Sequence, residues 1–131
     1  MEINWDTCVD MDQGLKSMLG LTFTKVEVSD SNGEMVFHAE DGRRFVFIHL
    51  QDCCEHVRIE DIVGDLQDLV GQPLLRAEEV SNADGPEPEY PDSYTWTFYK
   101  FATRRGYVDV RWLGESNGYY SERVNLCIVA A

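Results

Sequence analysis

The chain has 131 residues, of which 44% are hydrophobic and 15 are aromatic. That is a one-domain length, and it argues against a disordered tail. Twenty-four acids against eleven basic residues give a net charge of −13, which excludes a direct reader of free nucleic acid or of acidic membranes and favours basic partners.

No apolar stretch approaches the length of a membrane span. The N-terminus lacks the basic and then apolar run of an export signal, so the four cysteines are expected as reduced thiols in a cytoplasm.

Taken in order, residues 1–9 read as a lead-in, with an edge strand around Ile3 and Trp5. Asp10 or Asp12 caps a short helix, MDQGLKSMLG, whose Met11, Leu15, Met18 and Leu19 share a face and which Gly20 ends. Gly14 weakens its interior. Thr22–Ser29, Glu34–Glu40 and Arg43–Leu50 then alternate as three strands of an antiparallel meander, divided by Asn32-Gly33 and Asp41-Gly42. Both dipeptides suit hairpin turns that need positive φ. The third strand reads as central, with Phe45 and Phe47 on one face and Val46 and Ile48 on the other.

Gln51 to Val57 reads as a loop, and Ile59 to Val70 as the main helix, closed by Gly71 and Pro73. At about 100° per residue, Glu60, Asp61, Asp65 and Asp68 gather on one side of that helix and Ile62, Leu66 and Leu69 on the other. A fourth strand, Leu74–Val80, precedes a proline-rich surface loop at Ser81–Asp92. Ser93–Thr103 and Gly106–Leu113 form two long strands, Asn117-Gly118 a turn, and Tyr119–Val129 a last strand. The expected fold class is α+β: a twisted antiparallel sheet of about six strands, one main helix packed on it, and the short N-terminal helix, all in a single domain spanning 1–131.

Charge is concentrated between residues 51 and 92, where twelve acids face only Arg58 and Arg76. On the expected helix the acids would fall every 3–4 Å, close to the roughly 3.4 Å phosphate spacing of one DNA strand. Glu60, Asp61, Asp65 and Asp68, extended by Glu78 and Glu79, are therefore the candidate partner-binding residues. A solvated, solubilising surface explains acids of this kind equally well.

The cluster His49, Cys53, Cys54 and His56 offers zinc-type donors, and a zinc-stabilised accessory or protein-interaction domain is the alternative reading. Adjacent cysteines are poorly spaced for one ion, and burial as small apolar groups explains them as well. Cys53 or Cys54 as a nucleophile is opposed by Asp52, Glu55, Glu60 and Asp61, which disfavour a thiolate. Glu115 to Tyr120 could line a polar pocket with Trp96 and Tyr99. No phosphate loop or nucleophile motif is visible, so neither a catalytic residue nor a cofactor is assigned.

The runs HLQDCCEHVRIEDIVGDLQDLVG, PLLRAEEVS, TWTFYKFAT and RWLGESNGYYSERV occur in this order between residues 49 and 124. With them the chain resembles, over residues 20–126, a family of small uncharacterised proteins encoded by bacteriophages and prophages. The resemblance implies a viral setting, a compact α+β domain and the cytoplasm of an infected bacterium. It implies no reaction. The resulting expectation is a non-enzymatic, anti-CRISPR-like inhibitor. Its acidic surface would compete with nucleic acid for a basic host protein or nucleoprotein, such as a CRISPR–Cas effector.

Overall fold

A computed structural model describes residues 3–51, 54–82, 93–118 and 120–131. The alternating segments pair into two antiparallel sheets. The first holds β1 (Cys8–Val9), β2 (Phe23–Val28), β3 (Glu34–Ala39), β4 (Arg44–Ile48) and β9 (Asn125–Val129), in the order β1-β9-β4-β3-β2. The second holds β5 (His56–Val63), β6 (Arg76–Asn82), β7 (Ser93–Thr103) and β8 (Gly106–Ser116), in the order β5-β8-β7-β6.

The expected meander is present as β2, β3 and β4. Asn32 takes φ 62° and Gly42 φ 94°, so each turn holds the positive φ that its residues tolerate. β4 is central, and Phe45, Val46 and Phe47 are all buried. The two sheets meet through aromatic rings. Phe37 and Phe47 of the first lie 4.9 and 5.6 Å from Phe101 of the second, and Phe47 lies 5.1 Å from Tyr99. Leu15, Met18, Leu69 and Leu74 join the same core.

The short helix is present as α1 (Met11–Met18). The Asp10 carboxylate caps it by accepting the Gln13 N–H at 3.0 Å, and Gly20 follows at φ 84°. Gly14 is buried there, because a Cβ would fall 2.6 Å from Leu126 Cδ2. The weak helix former is the residue that lets α1 sit against β9.

The main helix at 59–70 is not formed, and the α+β reading is corrected to a mainly β fold of two sheets. Residues 56–63 are β5, and only Leu66–Leu69 make a short 3₁₀ turn. The cause is a β-bulge between Ile59 and Asp61. Val57 and Ile59 alternate inward, the bulge absorbs Glu60, and Ile62 returns to the inner face one residue late. A strand with one extra residue thus spaces its apolar side chains by three, as a helix does. Four β-branched residues and Gly64 at φ 111°, packed on the Tyr107 carbonyl, decide for the strand.

Other boundaries moved less. The expected edge strand around Ile3 and Trp5 is a 3₁₀ turn at Trp5–Thr7 followed by β1. β6 runs on through Asn82, so Ser81 and Asn82 are strand, and the rest of the expected loop, 83–92, lies outside the described residues. β8 reaches Ser116, and the last strand begins only at Asn125.

Candidate functional site

The six acids predicted as one surface are divided. Glu60 and Asp61 lie on β5, one edge of the second sheet, and Glu78 and Glu79 lie on β6, its opposite edge. Glu60 pairs with Arg58 at 2.8 Å, and Asp61 accepts the Ile62 N–H at 2.9 Å. Asp65 caps the 3₁₀ turn through the Gln67 N–H at 2.9 Å, and Asp68 packs against Gly106. No continuous row joins them, so the phosphate-spacing argument goes with the helix that it required.

The predicted zinc donors are not gathered either. His49 uses both ring nitrogens. Nδ1 donates to the Arg123 carbonyl at 2.6 Å, and Nε2 meets Glu55 Oε1 at 2.9 Å. Cys54 is disulfide-bonded, which corrects the expectation of four reduced thiols; Cys8 and Cys127 are free. His56 is exposed at the start of β5, and Cys53 and Asp52 lie outside the described residues. Among the described residues no group of three or more metal-type donors converges. Trp96 and Tyr99 are separated by an odd number of strand positions and face opposite sides of β7, so they do not line one pocket.

A different site emerges between α1 and β6. Met11, Leu15 and Leu19 of the helical segment face Ala77 of the strand across a cleft of about 490 Å³, with Asp12, Lys16, Glu78 and Glu79 at its rim. Met11 and Glu79 also border a smaller recess of about 140 Å³ that continues past Thr95, Thr97, Arg123 and Val124. Glu79 stands at the junction of the two.

The placement of Glu79 follows from strand parity. Glu79 pairs with Tyr99 on the inner face, whereas Glu78 pairs with Lys100 on the outer face. The Tyr99 hydroxyl donates to Glu79 Oε2 at 2.6 Å. Burial, then the Glu79 charge and hydrogen bond, push Tyr99 well above the ordinary phenol range, while Arg123 acts in the other direction. Asp12 is answered by Lys16 at 3.0 Å and Glu78 by Arg76 at 2.9 Å. The Arg76 guanidinium beside Glu78 holds that carboxyl below its ordinary value. Among the described residues no cation lies within ion-pair distance of Glu79, whose partner is a neutral phenol.

Residues 16–126 match the family described as Domain of unknown function (DUF7448). The chain belongs to this family. No curated protein matches it, and no solved structure does. The DUF7448 match takes in all of β2 to β8, hence the β6 wall of the cleft and Tyr99, and begins at Lys16 within α1. Among the described residues, no helix is long and apolar enough to cross a membrane.

Sequence reading selected Glu78 and Glu79 but missed Met11, Asp12, Tyr99 and Arg123 as their neighbours. The helical face Met11–Leu15–Leu19 was legible, but what it faces was not, because β6 lies some sixty residues further along the chain.

Proposed function

We propose that this protein is a non-enzymatic acidic binding module that receives a Lys or Arg side chain of a partner protein in the α1–β6 cleft. Glu79 carries the reading: an exposed carboxylate at the rim of a partly apolar cleft, held in place by a phenol and with no cation within ion-pair distance among the described residues. An amphipathic side chain such as Arg can lay its stem on Met11, Leu15 and Ala77 while its charged end meets Glu79. The net charge of −13 steers basic partners towards such a site.

The partner class is a basic protein or nucleoprotein. A host nucleic-acid-handling defence complex is the instance suggested by the likeness to phage-encoded proteins, and the reading remains anti-CRISPR-like in that sense. What supports it is the resemblance and the charge. Competition with nucleic acid would be local, at Glu78 and Glu79, and not along a helical stripe.

The reading is tested by titrating the protein with a hexa-arginine peptide and following backbone amide shifts. Shifts should centre on Met11, Leu15, Ala77 and Glu79, and should weaken steeply with salt. Glu79→Gln keeps an acceptor for Tyr99 and removes the charge, so it should lower affinity at least tenfold while leaving the fold intact. Shifts spread equally over Glu60, Asp61 and Asp65, and unaltered in Glu79→Gln, would reject the cleft.

A further inference from the structure

We infer that β6 accepts an extended segment of the partner as an added strand, with Lys or Arg facing Glu79 and apolar residues two positions to either side. This rests on the cleft reading above and specifies how the segment is held.

The four sheet edges differ. β1 is two residues long, β2 is bulged between Phe23 and Lys25, and β5 is bulged between Ile59 and Asp61. Short length and bulges both discourage pairing by another chain. β6 pairs with β7 through seven consecutive residues without a break, which leaves the other side of β6 as a regular edge.

The chain itself begins a pairing on that side and then abandons it. Leu74 donates its N–H to the Leu21 carbonyl at 2.9 Å and accepts the Gly20 N–H at 2.8 Å. Leu75, one position on, donates instead to Ala102 of β7 at 2.8 Å. Leu75 and Arg76 both face Ala102, which turns its backbone to β6 because Thr103 and Gly106 close the β7–β8 hairpin. Beyond this irregularity Arg76, Glu78 and Val80 bond β7, and the backbone groups of Ala77 and Glu79 point away from it. Before Gly20 the chain turns into α1, and among the described residues none takes up these groups. The cleft of about 490 Å³ lies where the pairing would continue.

A strand added in line with Gly20–Thr22 runs antiparallel to β6, as that segment does at its Thr22–Pro73 bridge. Its side chains alternate faces. One set falls on the outer face beside Arg76, Glu78 and Val80. The other enters the cleft beside Ala77 and Glu79, over Met11 and Leu15. Charge complementarity puts a basic residue at Glu79, and the apolar floor favours valine-sized neighbours at the next inward positions. Arg76 on the outer face disfavours a second basic residue opposite it. Main-chain pairing would supply affinity and the inward pockets specificity, as in other strand-addition complexes.

The experiment uses the full-length protein and a capped peptide, Thr-Val-Thr-Arg-Thr-Val-Thr, in three forms: unmodified, N-methylated at the first, third, fifth and seventh residues, and N-methylated at the second, fourth and sixth. Backbone methylation leaves charge unchanged and blocks only one edge of a strand. The unmodified peptide should shift the amides of residues 76 to 80, and one methylated form should lose at least tenfold in affinity while the other keeps most of it. Equal affinity for all three forms overturns strand addition and leaves the charge reading standing. Failure of the unmodified peptide to bind also overturns it, and the hexa-arginine titration then decides the broader reading separately.

Discussion

The hydroxyl of Tyr99 donates a 2.6 Å hydrogen bond to the carboxylate of Glu79, the residue directly opposite it on β6. A buried ring on a central strand thereby fixes the one cleft carboxylate that has no cation within ion-pair distance among the described residues. Because burial and Glu79 both raise Tyr99, the folded protein keeps a proton that the unfolded chain gives up near pH 10. The stability linked to this group is fully present below pH 10 and is lost as pH rises beyond it. Tyr99→Phe should cost about 1 kcal/mol at pH 7 and should flatten the alkaline decline. Urea melts at pH 7 and 10.5 check this; an equally steep decline in the variant would reject it.

His49 joins the end of β4 to the segment leading into β9. Its Nδ1 must carry a proton, since the Arg123 carbonyl only accepts, and its Nε2 meets Glu55; both side chains are almost wholly buried. His49→Ala should destabilise by about 3 kcal/mol or more, the usual scale for removing one member of a buried pair. Chemical denaturation measures this directly. A loss below about 1 kcal/mol would mean that the clamp carries little of the fold.

Two glycines mark close approaches that any side chain would disturb. A Cβ at Gly14 would meet Leu126 Cδ2 at 2.6 Å and Val9 Cγ2 at 2.8 Å. Ala in an exposed helix interior gains about 1 kcal/mol over Gly, so Gly14→Ala should reverse that sign and destabilise by about 1 kcal/mol through overpacking. A Cβ at Gly114 would fall 2.5 Å from the Glu122 carbonyl oxygen, a backbone atom with little freedom to move. Gly114→Ala should therefore be worse, at about 2 kcal/mol or more. Thermal melts of the two variants give the order, and a stabilised Gly14→Ala protein would contradict the packing.

Cys8 and Cys127 are free and directly opposite on β1 and β9. Opposed residues on antiparallel strands lie about 4.5–5.5 Å apart between Cα atoms, within the range a disulfide spans. Burial, then the contact with Cys8, pushes the Cys127 thiol up to about 12, so Cys8, the more exposed partner, should react first with glutathione disulfide. Cys127 then displaces glutathione, leaving a Cys8–Cys127 bond and two reduced glutathiones. Mass spectrometry should show the crosslinked peptide, and melting should move upward. A stable glutathione adduct on Cys8 without crosslinking would show that the pair cannot close.

Local chemistry made much of the first sheet readable. Asp10 caps α1 through its own side chain, and Asn32 and Gly42 take turn conformations that neighbouring residues tolerate poorly. In the second sheet, the bounds read for β7, Ser93–Thr103, are those of the strand. At 59–70 the same method failed, because a bulge at Glu60 imposed helical spacing on a strand. Gly64 was the neglected signal, since a glycine at positive φ ends β5 in the middle of the supposed helix.

The sequence alone determined the acidity, the meander with its turns, the N-terminal helix and the adjacency of Glu78 and Glu79 as two acids in one strand. Tertiary structure alone decided that Glu60 and Asp61 occupy the far edge of their sheet, that Tyr99 stands behind Glu79, and that α1 faces β6. Turns and caps are settled by residues a few positions apart. The company a side chain keeps across a sheet is settled by strand order and register, which depend on partners far away in the chain.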